Sequence, residues 1–381
     1  MIYIIATSDL SRYGGDSIRI AALSSGLSRH LDETINLVFP IRSKDEKPTI
    51  LSEFNSKRLN LIGIPVKSDI ASRVGFVNSL IVIYQYLKNI NFKNDLIQVE
   101  GSFVGGILAS LGLNNYIVDI PGLYFEELMH NYPQSFVNVP YKQLMYNVER
   151  YGMERAKIVL TPSRFMKNFL LATCKTNRNS VYTVYNGFLQ SLVNTVKEKE
   201  EDGAITFVGG LAKWACIDKI VEAARSLTNY DVHFYIVGNG SDKPRIARLI
   251  KQHGLKNVTL TGHVPIREAY KCIARSQIVL APFPKSIALA VACPIKLLEY
   301  MAFGKAILVD NVGEIPHMMQ KNDAALVSDP LDEKDFVNKL RLLIEDKNLR
   351  IKFSQNAKKL AKNFSWERQT AKLAEIYRNY I

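Results

Sequence analysis

Several short stretches of this 381-residue chain combine residues able to hold an anion with turns lacking side chains. The sharpest is PIKLLEYMAFGK, Pro294 to Lys305. Proline suits the first position of a helix, because its missing N–H is not needed there and its fixed φ pre-sets the turn. The free amides beside it and the positive end of the helix dipole attract an anion, and Lys296 adds a full charge. Glu299 lies one turn further on, within reach of sugar hydroxyls next to a phosphate. As a bare surface couple these two side chains would make only a weak helical pair. Their helix, however, follows a strand ending in Ala281-Pro282-Phe283-Pro284, where ligands of parallel sheets bind.

Three other stretches carry similar chemistry. In SRYGGDSIRIAALSSGLSRH, residues 11 to 30, Gly14 and Gly15 offer backbone amides between a first strand and a helix. In ITFVGGLAKWACIDKIVEAA, residues 205 to 224, a strand runs into Gly209 and Gly210, then Lys213 and Trp214, before Asp218 opens a helix. A lysine in such a loop can meet a phosphate. In residues 235 to 265 a strand leads to the Gly238-Asn239-Gly240 turn, a basic helix, a short strand and Gly262-His263-Val264. The third glycine of the dinucleotide fingerprint is missing, and no acidic residue closes a following strand, so NAD binding is excluded as the leading reading.

The elements that must position these loops are short β-branched runs alternating with longer amphipathic segments, the pattern of parallel strands joined by crossover helices. The expected strands are Ile2–Ala6, Ile35–Phe39, Leu96–Val99, Tyr116–Ile120, Ile158–Thr161 and Val181–Val184 in the first half. In the second they are Ala204–Val208, Val232–Val237, Val258–Thr261, Ile278–Ala281, Ala306–Val309 and Ala324–Val327. The charged run KEKEEDG ends a linker from Asn186 to Gly203, read as a solvated hinge. The predicted architecture is α/β, with two Rossmann-like doubly wound domains, 1–190 and 203–365, facing across a cleft, and a C-terminal helix, 366–381.

Composition narrows the function. Hydrophobic residues at 47% and charged residues at 22% describe a folded globular chain. The opening MIYIIATSDL reads as a buried strand rather than a leader, and Val74–Tyr86 as a core helix rather than a membrane segment. The four cysteines, Cys174, Cys216, Cys272 and Cys293, are scattered without a CxxC pair, which argues against zinc or a disulfide framework and for a reducing cytoplasm. The net charge of +13 is spread over both halves, with no arginine-rich tract or RNA-recognition signature. A solvated basic surface, with weak attraction to the inner face of an anionic membrane, is expected ahead of nucleic-acid binding.

Taken in order, VGGLAKWACID, IVGNGSDKPRIARLI, NVTLTGHVP, IVLAPFP, KLLEYMAFGKAILV and FSWERQTAKLAEIY resemble the family 4 glycosyltransferases, retaining nucleotide-sugar enzymes of the GT-B fold. The resemblance covers nearly the whole chain and is strongest from Ile205 onward. It implies that Glu299 binds the donor ribose and that the amides of Ala292, Cys293 and Ile295 cradle the diphosphate. Gly262 to Val264 would meet the nucleobase, Gly14 and Gly15 would close on the diphosphate, and Asp119 would stand near the reacting sugar and acceptor. It also implies that the helix from Trp366 packs back on the N-terminal domain. The chain departs from the pattern at Val291, where most members carry a first glutamate. Gly210 and Ala215 stand where the diphosphate-binding arginine and lysine usually lie, and Pro121 replaces a frequent histidine. Lys213 and Lys296 are expected to take over the phosphate role.

The expected reaction is sugar transfer, of hexosyltransferase type, from a nucleoside diphosphate sugar to an acceptor hydroxyl with retained configuration. The chain has no DxD sequence, so no metal or other cofactor is expected. The acceptor is expected to be a glycan or a lipid-linked sugar, with Arg73, Tyr84, Tyr86 and Lys88 suited to a lipid face. An epimerase or phosphorylase on the same fold lacks a convincing acid/base pair. A catalytically inactive nucleotide-sugar-binding subunit that supports a partner transferase is the alternative, motivated by the missing cations and first glutamate.

Overall fold

A computed structural model describes residues 1–11, 14–42, 50, 54, 56–66, 87, 95–113, 115–126 and 139–380, with the backbone alone for 139–142. The segment read as a core helix, Val74–Tyr86, and the residues Arg73, Tyr84, Tyr86 and Lys88 lie outside the described residues. The chain divides into two units, Met1–Tyr185 with Trp366–Ile381, and Asn186–Ser365. Residues 186–190, assigned above to the first domain, thus group with the second unit.

Among the described residues, the first unit holds seven parallel strands: β1 (Ile2–Ile5), β2 (Ile35–Ile41), β3 (Leu59–Pro65), β4 (Leu96–Glu100), β5 (Tyr116–Asp119), β6 (Ile158–Thr161) and β7 (Val181–Thr183). Their order is β3-β2-β1-β4-β5-β6-β7, so the winding reverses between β1 and β4, and Ile4 pairs with Leu37 on one side and Gln98 on the other. The second unit carries β8 (Ala204–Val208), β9 (His233–Val237), β10 (Val258–Gly262), β11 (Ile278–Ala281), β12 (Ala306–Asp310) and β13 (Leu326–Ser328) in the order β10-β9-β8-β11-β12-β13. Here the reversal falls between β8 and β11. Its buried core joins Phe207, Phe234, Ile236, Leu280 and Leu308 from the strands to Ile220, Phe336 and Leu340 from the covering helices. Near-continuous apolar strands of this kind require helices on both faces of the sheet.

The expected strands are present within one or two residues at each end, and β3 is an addition. Its sequence, LNLIGIP, holds a glycine and a proline, both depleted in strands. An edge strand tolerates them: among the described residues β3 pairs only with β2, and at Gly63 a Cβ would stand 2.7 Å from Cδ1 of Ile41. The charged linker is not a freely solvated hinge. Phe188 donates its N–H to the carbonyl of Phe364, and residues 190–195 form a helical turn. Glu200 accepts from the buried Lys305 at 2.6 Å, and Asp202 accepts from Gln277 at 2.9 Å.

The helix Trp366–Arg378 packs on the first unit, against the helix Gly15–His30. The contact is close because Gly26 has no side chain: a Cβ there would stand 2.2 Å from Cγ2 of Thr370. Tyr377 is fully buried and donates its hydroxyl to Oε1 of Gln98 in β4. Gly26→Ala forces a methyl into this short, β-branched neighbour, and the expected loss is about 1–3 kcal/mol of stability, the usual range for overpacking. Urea unfolding of the variant checks it.

Candidate functional site

In the second unit, three turns after neighbouring strands stack backbone against backbone. After β8 the chain enters Gly209 (φ 156°), whose N–H donates to Val237 O at 3.0 Å. After β9 it enters Gly238 (φ 146°), whose N–H donates to Gly262 O at 3.0 Å. A Cβ on Gly238 would lie 1.9 Å from the Gly209 carbonyl oxygen, so only glycine permits this layer. Beyond Gly209 and Gly210 the chain forms a short 3₁₀ turn, Lys213–Ala215, and passes through Cys216 in the left-handed region (φ 47°, ψ 40°) before the helix Ile217–Ser226. A non-glycine residue there stores local strain, which surrounding packing must hold.

The helix Ile295–Ala302 begins beside this layer. Pro294 is its N-cap residue, φ −65° and ψ 117°, rather than its first helical residue: the pre-set φ fits, but the extended ψ keeps proline outside the helix. Lys296 follows one residue into the helix. Its stem is half-buried, while Nζ is shielded from solvent and has no hydrogen-bond partner among the described residues. Instead the ammonium lies 4.4 Å from the ring centroid of Phe207, 5.3 Å from Trp214 and 5.5 Å from Phe283. It sits directly under the first glycine turn, where a Cβ on Gly209 would be 2.9 Å from Nζ. Phe207 belongs to β8 and Phe283 follows β11, so the lysine occupies the point where the strand order reverses. Aromatic faces attract a cation but do not replace hydrogen bonds. Burial therefore pulls the Lys296 amine down to about 8, against the opposing pull of the Glu299 and Cys216 charges.

Glu299, three residues along, is 9% exposed and accepts a hydrogen bond from the Tyr270 hydroxyl at 2.9 Å. Tyr270 stands on the helix Ile266–Arg275, edge-on to Phe303. Burial pushes the Glu299 carboxyl up to about 7, while the Tyr270 hydroxyl and the Lys296 charge work the other way. A lysine that gives up its proton easily and a glutamate that holds one share one face of one turn.

The remaining sequence candidates fall into place unevenly. Gly210 is exposed at the mouth of the first turn. Gly262 is buried with φ 80°, His263 is exposed and Val264 half-buried. Cys293 is buried, and its carbonyl accepts from the Asn186 side chain at 2.7 Å. Ile295 opens the helix, whereas the Ala292 amide donates to Leu289 O at 3.3 Å and is not a free donor for a phosphate. Lys213 is exposed, and it is its neighbour Trp214 that meets the Lys296 ammonium.

Gly14, Gly15 and Asp119 belong to the first unit. Gly14 caps its helix and donates its N–H to Ser17 Oγ at 2.9 Å, so that amide is engaged locally; Gly15 is exposed with open space around it. Asp119 is buried in an ion pair. It ends β5 at 1% exposure and receives Arg19, equally buried, through Nε at 2.9 Å and Nη2 at 2.7 Å. Arg19 also donates to Val184 O at 2.9 Å. Held this way, the carboxylate anchors the helix Gly15–His30 to the end of β5.

Sequence reasoning missed three groups and gave Trp214 no role. Tyr270 and Trp214 act across the fold, so no local spacing reveals them. Lys243 places its Nζ 2.7 Å from where a Gly262 Cβ would stand, adding a cation to the third turn. Glu100 ends β4 and binds the Thr7 and Ser8 amides at 2.7 and 2.9 Å and the Ser8 hydroxyl at 2.5 Å; burial raises its carboxyl to about 7, with Asp16 adding to the rise. Among the described residues no cluster of three or more His, Cys, Asp or Glu side chains could hold a metal ion. No helix among them is long and apolar enough to cross a membrane.

Residues 191–360 match the family model of glycosyl transferases group 1. The chain is 22% identical over 228 residues to an uncharacterized glycosyltransferase of Methanocaldococcus jannaschii, covering 60% of this chain and 61% of that one. It spans about 60% of the length of the curated relatives heading that comparison. Among solved structures, a sucrose-phosphate synthase from Thermosynechococcus elongatus superposes with a TM-score of 0.79 at 15% identity over 100% of this chain and 98% of that chain. An Anabaena protein solved in complex with UDP-glucose gives 0.74 at 15% identity over 99% of both chains. The fold is GT-B.

Proposed function

We propose that this chain, whose residues 191–360 match the family model of glycosyl transferases group 1, transfers a sugar from a nucleoside diphosphate sugar to an acceptor hydroxyl with retention of configuration. The observation that carries the reading is the Lys296 ammonium, buried at the turn that opens a helix and without a hydrogen-bond acceptor among the described residues. A buried cation left unpaired is costly, and a diphosphate oxygen supplies what it lacks. Glu299, one turn on, is placed to accept from the ribose hydroxyls, and the glycine layer lets backbone come close to the ligand. UDP-glucose on a neighbour of the same fold supports a sugar nucleotide as the donor.

In the reaction, the bond from the sugar's anomeric carbon to the β-phosphate oxygen breaks, and a bond to the acceptor oxygen forms on the same face. The acceptor proton passes to the departing phosphate oxygen. Negative charge grows on that phosphate as the bond breaks, and a fixed ammonium with helix-start amides stabilises it without reorganising. This route needs no protein carboxylate as base, in keeping with the commitment of Asp119 to Arg19. The acceptor proposed is a glycan or lipid-linked sugar.

Purified protein should release nucleoside diphosphate slowly from the matching sugar nucleotide, chosen by a thermal-shift panel of UDP-, GDP-, ADP- and dTDP-sugars. A chain that binds the donor yet releases nothing, with or without acceptor, would be the non-catalytic subunit instead. Turnover is expected to stay within about two-fold in EDTA, because lysine provides the charge that a metal would otherwise supply. Donor affinity should rise as pH increases through 7. Ribose hydroxyls donate to the ionised form of Glu299, so the form binding best is scarce below its pKa, and about ten-fold is lost at pH 6. The acid limb should vanish in Glu299→Gln, measured by calorimetry at several pH values.

A further inference from the structure

We infer that Lys296 is a proton-coupled grip: it waits beneath the glycine turn without an acceptor and takes up a proton from solvent when a phosphate oxygen arrives as its first hydrogen-bond partner. The inference rests on the diphosphate-binding reading and specifies how that same site works.

Three features of the site lead to it. Nζ is shielded from solvent and lacks any hydrogen-bond acceptor among the described residues. Its surroundings, Phe207 of β8, Trp214 of the 3₁₀ turn and Phe283 after β11, carry no charge. The Gly209 backbone lies directly over it, so only a missing side chain leaves room for the ammonium. Titratable groups facing it are few. Glu299 on its own helix favours the charged form, as does Cys216 ahead of the helix Ile217–Ser226. The Cys216 thiol is itself pushed up to about 11 by burial, and is neutral at pH 8.5. Opposite charge is thus in short supply around the amine, and a dianionic ligand changes its environment more than any protein group does. A ligand that favours the charged form must raise the amine's proton occupancy by linkage.

The test is calorimetric titration at pH 8.5 in two buffers of different ionisation enthalpy, using whichever of UDP, GDP, ADP and dTDP binds. At that pH the ligand phosphates and Glu299, with its pKa of about 7, are already ionised. An amine near 8 is then mostly neutral, so binding at pH 8.5 should take up roughly three-quarters of a proton. Glu299→Gln should keep the uptake. Lys296→Arg, charged at every accessible pH, should bind without it. Binding with no buffer dependence in the wild type, or uptake persisting in Lys296→Arg, overturns the inference and leaves the diphosphate site standing. Failure of all four nucleotides to bind overturns the diphosphate site and the inference with it.

Discussion

Lys296→Gln is expected to make the protein more stable while nearly disabling its site. A charge-assisted hydrogen bond contributes about 1.5–3 kcal/mol, so losing it should weaken nucleoside diphosphate binding roughly 10- to 150-fold. Turnover should fall by at least as much, because the same ammonium meets charge that grows in the transition state. Stability should move the other way. The folded-state pKa of Lys296 is depressed, from 10.5 to about 8. Folding therefore opposes its charged form, and the cost is fully present below pH 8. It fades as pH rises from 8 toward 10.5, where the unfolded amine also loses its proton. Glutamine removes that cost, and a gain of roughly 1–3 kcal/mol in urea unfolding at pH 7 is expected. An ordinary structural lysine would show a loss of stability with nucleotide affinity unchanged. A gain in stability with unchanged nucleotide affinity would remove Lys296 from the ligand site.

Asp119→Asn is expected to cost about 3–5 kcal/mol of folding stability, the penalty for leaving one member of a buried ion pair uncompensated. Arg19 and Asp119 are each 1% exposed, so water cannot take the missing partner's place. The double variant Arg19→Met with Asp119→Leu should recover most of the loss, because apolar replacement of both partners is often neutral. It also separates structure from chemistry. If the double variant folds and turns over donor within about three-fold of wild type, Asp119 has no part in proton transfer. If it folds but is dead, the carboxylate acts in the reaction after all, and the anchor reading fails.

These two residues show what the sequence makes legible. Lys296 and Glu299 are three apart on one helix beside a proline, and local periodicity alone puts them on a common face. Twelve of the strands announce themselves as apolar β-branched runs for the same local reason. Asp119 misleads because its partner Arg19 stands 100 residues away, on a helix that only tertiary folding brings to β5. Tyr270 is 29 residues before the glutamate it serves. Ala292 is similar: its amide reads as free until the turn back to Leu289 is seen. Strand β3 hides behind Gly63 and Pro65, whose cost is small only because its outer edge makes no ladder. Proline at 294 leaves its own position ambiguous by one residue, since its fixed φ fits both the cap and the first turn.

The helix Trp366–Arg378 has a consequence for biosynthesis. A ribosome delivers β1 to β7 before the surface that covers Gly26 and the hydroxyl that bonds Oε1 of Gln98, which arrive only after the whole second unit has been translated. The second unit is contiguous in the chain and can mature as it emerges, whereas the first must persist part-formed, with an uncovered apolar flank, until the helix Trp366–Arg378 has been made. Vectorial folding, in which the leading domain finishes before the trailing one, is thereby reversed.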